Sequence, residues 1–174
     1  MRNIRVEIEN NIQARFPEHF EYIMNDSVIK SEIDTAERFE MKNDSEMADF
    51  VAGQAMKKAE NFVERALTPA TANVGDGVTI HLWSDAHAAT IIKKTKTTIT
   101  VQHDKATLDP NFKPEFVAGG FAGHCTNNND QTYTYERNEN GTIETFRWSK
   151  KNNRYQNDSI RVTKGRREFH DYNF

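Results

Sequence analysis

The sequence predicts an α+β fold in which a helical N-terminal segment, residues 1–70, precedes a β-rich ligand-binding domain, residues 71–174. Three observations predict it. Apolar residues recur every three or four positions in the first part, they alternate with polar residues in the second, and the turn-forming stretch TPATANVGDG separates the two patterns. Many short strands in about 100 residues indicate a small antiparallel sheet or an SH3-like barrel.

The first part contains three helical stretches. A stripe of Ile4, Ile8 and Ile12 ends near Phe16, and the next stretch covers residues 18–41 with an interruption near residues 25–27. No pattern in these helices indicates chemistry, so their apolar residues are interpreted as packing residues for the protein or for a neighbouring subunit.

The third stretch, residues 43–67, carries signals at both ends. Asn43 followed by Glu46 resembles a capping box, and Ser45 is an alternative cap. Pro69 cannot continue a helix, because its nitrogen has no hydrogen to donate. We therefore expect the helix to end near Leu67.

Alternation in the second part predicts six short strands. Their predicted ranges are 78–83, 88–95, 97–104, 131–138, 142–151 and 159–165. Lys96 is placed in the turn of one hairpin, and Asn140-Gly141 predicts a second hairpin turn. Residues 105–130 are too long for a tight turn, and loops of that length are often functional.

Composition indicates a cytosolic protein. The net charge is −3 and 36% of the residues are hydrophobic. No apolar run approaches the roughly 18 residues that a membrane span needs, and the charged N-terminus lacks the apolar core of a signal peptide. The single cysteine, Cys125, excludes an internal disulfide.

Charge is concentrated near the C-terminus. Residues 145–170 contain eight lysines and arginines against two carboxylates. Two interpretations stay open. The segment is a solvated basic face, or it is a surface that binds an anion, since clustered guanidinium groups suit phosphate oxygens.

The stretch GGFAGHCTNNND, residues 119–130, raises the question of an active site. His124 is adjacent to Cys125, but sequence neighbours point in different directions and no positioned base is evident elsewhere. A buried, unreactive cysteine is the favoured interpretation. His81, Asp85 and His87 lack the spacing of metal ligands, so no metal site is predicted.

Aromatic and basic residues together favour nucleotide binding over turnover. Aromatic faces stack bases, arginines bind phosphates, and asparagine amides recognise base edges. Aromatic residues that alternate along strands also fill the core of a small barrel, and this alternative stays open. The residues selected by this chemistry are Phe121, His124, Asn127, Phe146, Arg147, Trp148, Arg161, Arg166 and Arg167.

Four motifs in residues 74–174 resemble the first-described family of phage anti-Thoeris proteins, which act as nucleotide sponges. The motifs are VGDGVTIHLWSDAHAATIIKKTKTTITVQHDKAT, VAGGFAGHC, ETFRWSKKNNRY and GRREFHDYNF. The resemblance covers about 100 residues and leaves residues 1–70 unmatched.

The resemblance implies a function without catalysis. Members of the family bind the cyclic ADP-ribose isomers made by bacterial TIR enzymes and hold them without cleavage, and some members also bind cyclic oligonucleotides. It further implies a homodimer or larger homo-oligomer in the cytoplasm of the infected bacterium, with pockets formed by two subunits and no cofactor. Two alternatives stay open: an SH3-like nucleic-acid-binding module, and a phosphodiesterase that acts on a cyclic nucleotide.

Overall fold

The computed structural model describes residues 2–119 and 122–173. The chain forms two compact units, Met1–Ala66 and Leu67–Phe174. The first unit is helical, and the second is an antiparallel β-structure that contains a closed barrel. The predicted α+β class with a small barrel is confirmed.

The helical unit contains four helices, because the stretch predicted over residues 18–41 is divided. The helices are α1 (Ile4–Arg15), α2 (Phe20–Met24), α3 (Ser27–Met41) and α4 (Ser45–Arg65). Their buried faces form one core that contains the predicted isoleucine stripe of α1 together with Ile23, Ile29, Ile33, Ala36, Ala48, Val51, Ala55 and Ala59. Among the described residues, no helix is long and apolar enough to cross a membrane.

The predicted cap of the last helix is wrong. Asp44 caps α4, and its carboxylate accepts a hydrogen bond from the backbone N–H of Met47 at 3.2 Å. Asn43 instead adopts a positive φ of 59° in the turn between α3 and α4. An asparagine tolerates this left-handed conformation better than most residues, so Asn43 shapes the turn while its neighbour caps the helix.

Six strands close into the barrel in the order β1-β10-β9-β8-β3-β2. The barrel strands are β1 (Gly77–His81), β2 (Ala86–Lys94), β3 (Thr98–His103), β8 (Ile143–Ser149), β9 (Arg154–Asn157) and β10 (Ile160–Lys164). Their inward side chains form the core, which contains Val78, Ile80, Ala89, Ile91, Ile99, Val101, Phe146, Tyr155 and Val162. Inward side chains that alternate with outward ones along each strand are typical of a small barrel.

The segment predicted as a long loop contains strands. Two small sheets lie outside the barrel: β4 (Lys105–Leu108) pairs with β7 (Tyr133–Glu136), and β5 (Phe116–Gly119) pairs with β6 (Ala122–Cys125). A 3₁₀ turn, Asn128–Asp130, follows β6. The sequence pattern does not predict the strand β9, because the residues KKNNRY are polar and typical of a turn.

The hairpin predicted at Asn140-Gly141 is wrong. The flanking strands β7 and β8 pair with β4 and β3, respectively, and not with each other. Gly141 is required for a different reason. A Cβ atom at this position would lie 2.1 Å from the carbonyl oxygen of His103, so only glycine permits this close approach of two backbones.

A buried carboxylate joins the barrel to the C-terminal segment. Asp104 follows β3, and its side chain is 0% exposed. It accepts hydrogen bonds from Thr90 Oγ1 at 2.7 Å, from Arg166 Nε at 2.7 Å and from Arg137 Nη1 at 3.2 Å. Arg166 also donates to Thr90 Oγ1 at 2.7 Å. A buried charge with this many partners positions the groups around it.

We expect Asp104→Ala to destabilise the β-unit by about 2–3 kcal/mol, because it removes the acceptor of two guanidinium groups that stay partly exposed. Urea unfolding followed by tryptophan fluorescence measures this unit alone, since Trp83 and Trp148 both lie in it. Asp130→Ala, at an exposed carboxylate, is the matched control. Equal unfolding midpoints for the two variants would show that the Asp104 network contributes no stability.

Candidate ligand-binding groove

The β-unit has an open groove with a volume of about 700 Å³. That volume lies within the range of roughly 300–1,000 Å³ that is typical of ligand pockets. Its walls come from four places: the β1–β2 turn, the 3₁₀ turn after β6, the strands β9 and β10 with their connecting turn, and the C-terminal segment. The lining residues are His81, Leu82, Trp83, Ser84, Asp85, Ala86, Asn129, Arg154, Ser159, Ile160, Arg161, Arg167 and Phe169.

Three arginines give the groove a positive potential. Arg161 on β10 lies opposite His81 in the strand register, and Arg154 begins β9. Within the described part of the chain, none of Arg154, Arg161 and Arg167 forms an ion pair with a carboxylate. Guanidinium groups without such partners are free to make charge-assisted hydrogen bonds to an anion.

An exposed tryptophan stands at the edge of the groove. The β1–β2 turn is closed by a hydrogen bond from the N–H of Leu82 to the carbonyl of Asp85 at 2.9 Å. The turn projects Trp83, whose surface is 95% exposed. Tryptophan is normally among the well-buried residues, so an indole left in solvent beside three arginines indicates a surface for stacking an aromatic ligand.

The C-terminal segment is attached along the barrel and brings Arg167 and Phe169 to the groove. Phe169 forms an antiparallel bridge with Ala86. Glu168 accepts from the N–H of Ala88 at 2.8 Å and hydrogen-bonds His87 Nδ1 at 2.9 Å. The Arg167 guanidinium lies 5.1 Å from the centroid of the Phe169 ring, an arrangement that orients both groups.

The carboxylate of Asp85 also lines the groove, but it already accepts a hydrogen bond from the C-terminal segment. Asp85 accepts a hydrogen bond from the N–H of Asp171 at 2.8 Å, and His170 Nδ1 lies 3.6 Å away. Asp85 therefore anchors the end of the C-terminal segment to the β1–β2 turn.

The charge of the groove acts on His81. Its Nε2 lies 2.8 Å from Thr163 Oγ1. Burial, and after it the positive charges of Arg161 and Arg167, lower the pKa of His81 below its ordinary value of 6.5. Burial first, and then the two guanidinium groups, therefore disfavour the protonated form of the imidazole.

The structure separates the predicted arginines into different roles. Arg161 and Arg167 line the groove, whereas Arg147 is exposed on the outer face of β8 and is absent from the lining. Arg166 hydrogen-bonds the buried Asp104, so it belongs to the structural framework and is not among the groove-lining residues. In Arg166→Glu the new carboxylate would lie beside the carboxylate of Asp104, and the two negative charges would repel each other.

The predicted aromatic residues do not line the groove. Phe146 is 0% exposed in the barrel core, where it offers no surface to a ligand. Trp148 packs edge-to-face on Tyr155, with ring centroids 5.2 Å apart, against the same core. For these two rings, filling the barrel is the interpretation that the geometry supports. Phe121 lies outside the described residues.

The stretch after the glycines has mainly structural contacts. Cys125 is 2% exposed, and its thiol donates to the side-chain carbonyl of Asn127 at 3.3 Å. Asn127 also accepts from the N–H of Glu115 and donates to the carbonyl of Lys113. His124 is exposed on β6, away from the lining residues. Asn129 is the member of this stretch that reaches the groove.

Sequence reasoning leaves Trp83 open between the core and a binding surface, and it does not single out the lining residues Arg154 and Phe169. The signal for Trp83 was present, since an indole followed by SDAH in a polar turn is a candidate for exposure. The position of Arg154 depends on the missed strand β9, and that of Phe169 on the path of the C-terminal segment. The local sequence pattern predicts neither of these two positions.

The described residues contain no group of three or more histidine, cysteine, aspartate or glutamate side chains placed to hold a metal ion. Comparison with protein-family models, with curated proteins and with solved structures found no match.

We expect Arg161→Gln combined with Arg167→Gln to raise the pKa of His81, because the variant removes the two charges that oppose protonation. Histidine ring signals followed by NMR across the pH range measure this. In the wild type the unfolded chain takes up this proton at a higher pH than the folded chain, so the His81 contribution disfavours folding as pH falls below about 6.5. An unchanged His81 titration in the double variant would contradict the placement of both arginines.

Proposed function

We propose that this protein binds a cyclic ADP-ribose-type signalling nucleotide in the groove and holds it without cleavage, and so blocks bacterial Thoeris defence. One observation carries the proposal: Arg161 and Arg167, which have no carboxylate partner among the described residues, flank a groove whose rim presents the exposed indole of Trp83. The motifs that resemble the anti-Thoeris sponges support the choice of ligand class.

The groove matches the two chemical parts of such a ligand. The pyrophosphate suits the guanidinium groups of Arg161 and Arg167, with Arg154 as a third donor. The base suits the face of Trp83, and stacking of this kind contributes about 1–3 kcal/mol per base. Several charge-assisted hydrogen bonds and one stack are the kind of contacts from which a nanomolar affinity, about −12 kcal/mol, is built.

Enclosure is the second requirement of sequestration. The groove of one chain is open to solvent along its length, and an open site releases a ligand faster than an enclosed one. The proposal therefore includes a homo-oligomer in which a second subunit covers the groove, acting in the cytoplasm of the infected bacterium. Cyclic oligonucleotides, which carry the same phosphates and bases, are the second ligand class.

The capture experiment tests the proposal. The full chain is incubated with TIR-derived cyclic ADP-ribose isomers, separated from free nucleotide, denatured by heat, and the supernatant is analysed by mass spectrometry. We expect the intact isomer in stoichiometric amounts. A hydrolysed product would instead support a phosphodiesterase, and the absence of any bound nucleotide would overturn the proposal.

Two substitutions assign the binding to the groove. We expect Trp83→Ala and Arg161→Gln each to weaken nucleotide affinity roughly 10-fold or more, since each removes a stack or a charge-assisted hydrogen bond. Calorimetric titration gives the dissociation constants. Phe50→Ala and Arg65→Gln, at exposed positions of the helical unit, are the matched controls.

A further substitution separates the groove from the cysteine. Cys125→Ser should leave capture unchanged, because the thiol is buried in contact with Asn127 and does not line the groove. Loss of capture in Cys125→Ser without loss of folding would instead place the ligand near β6.

A further inference from the structure

Basic side chains continue from the groove across the outer face of the barrel. In the strand register, Arg161 on β10 lies opposite Gln156 on β9, and Gln156 lies opposite Arg147 on β8. Residues opposite one another in adjacent strands share a face. Arg161 and Arg147 therefore project from the same side of the sheet, two strands or roughly 10 Å apart.

Beyond Arg147 the barrel ends in two lysine-bearing turns. The β8–β9 turn contains Lys150 and Lys151, and the β2–β3 turn contains Lys96. The turns are adjacent, because the N–H of Trp148 donates to the carbonyl of Thr97 at 2.8 Å. We call Arg161, Arg147, Lys150, Lys151 and Lys96 the basic stripe.

The outer part of the stripe lies on two segments without acidic residues, and the carboxylate of β8, Glu144, precedes them and lies 2.6 Å from His103 Nε2. Neither residues 92–103 nor residues 145–157 include an aspartate or a glutamate. Arg147, Lys151 and Lys96 form no ion pair within the described part of the chain. In a protein with a net charge of −3, a surface of one sign on neighbouring elements concentrates positive potential at one place.

Hydrogen bonds to Gln156 orient a further arginine, Arg154, beside the stripe. The side-chain carbonyl of Gln156 accepts from Arg154 Nε at 3.1 Å and from the amide of Asn152 at 2.8 Å. The guanidinium of Arg154 therefore lies along the sheet between Arg161 and the β8–β9 turn, so the basic surface is continuous with the groove.

We infer that the basic stripe binds the phosphate backbone of a single-stranded nucleic acid, with one base stacked on Trp83. A row of cations that crosses several strands neutralises successive phosphates and releases their counterions. An exposed indole stacks an unpaired base, and a duplex does not offer one. The inference goes beyond the proposed function, because four of the five stripe residues, Arg147, Lys150, Lys151 and Lys96, are not among the groove-lining residues.

The probe is a fluorescein-labelled oligothymidylate of about 12 nucleotides, a length within the site sizes of single-strand-binding domains. Fluorescence anisotropy of the full chain gives the affinity at several salt concentrations. In the wild type we expect binding that weakens steeply with salt. In the triple variant Lys96→Ala, Lys150→Ala, Lys151→Ala we expect binding at least 10-fold weaker, with the log–log salt slope reduced by about 2.

The matched control is the triple variant Lys30→Ala, Lys42→Ala, Lys57→Ala, which removes the same charge from exposed positions of the helical unit. Equal affinities of the two triple variants would overturn the inference. Tighter binding of a duplex of the same length would also overturn it. A wild-type salt slope near zero would do so as well, and that measurement needs no variant.

Nucleotide capture separates this inference from the proposed function. The stripe variant should still capture the cyclic ADP-ribose isomer, whereas Trp83→Ala should weaken both ligands. Oligothymidylate binding without nucleotide capture would overturn the proposed function and leave the stripe supported. Nucleotide capture without oligothymidylate binding would overturn the inference about the stripe and leave the proposed function supported.

Discussion

The arrangement of the β-unit depends on one buried carboxylate. Asp104 has no exposed surface, and a charge in that position is tolerated only because Thr90, Arg137 and Arg166 surround it with donors. These donors come from β2, from the segment after β7 and from the segment after β10. The carboxylate therefore joins three parts of the chain through side chains, in addition to strand pairing and the Phe169–Ala86 bridge, and it anchors the C-terminal segment where that segment leaves the barrel.

The groove follows from that anchor. Arg167 and Phe169 come immediately after Arg166, so their positions are set by the Asp104 contact, by the bridge to Ala86 and by the contacts of Glu168. Neighbouring residues of this basic segment therefore have different roles. Arg166 hydrogen-bonds Asp104, its neighbour Arg167 lines the groove, and Arg154 on β9 and Arg161 on β10 line the groove as well. Charge density in the sequence alone does not distinguish these roles.

Local patterns predict the α+β class, the isoleucine stripe of α1 and five of the six barrel strands, because those features depend on spacing along the chain. Local patterns fail where contacts between residues distant in sequence determine the position of a side chain or a turn. Asn140-Gly141 resembles a hairpin turn, yet Gly141 is needed for the approach to His103. Phe146 resembles a ligand contact but fills the core, whereas Trp83 is exposed. Of the residues predicted to bind a ligand, Arg161 and Arg167 line the groove, whereas Phe146 and Trp148 pack in the barrel.

The central claim is that Trp83 and the arginines of the groove form one site for a nucleotide with a base and a pyrophosphate. A crystal structure of the full chain with a cyclic ADP-ribose isomer measures this most directly. The account predicts the base stacked on the Trp83 indole and the pyrophosphate oxygens within hydrogen-bonding distance of Arg161 and Arg167. A ligand bound elsewhere on the chain, with an empty groove, would contradict it.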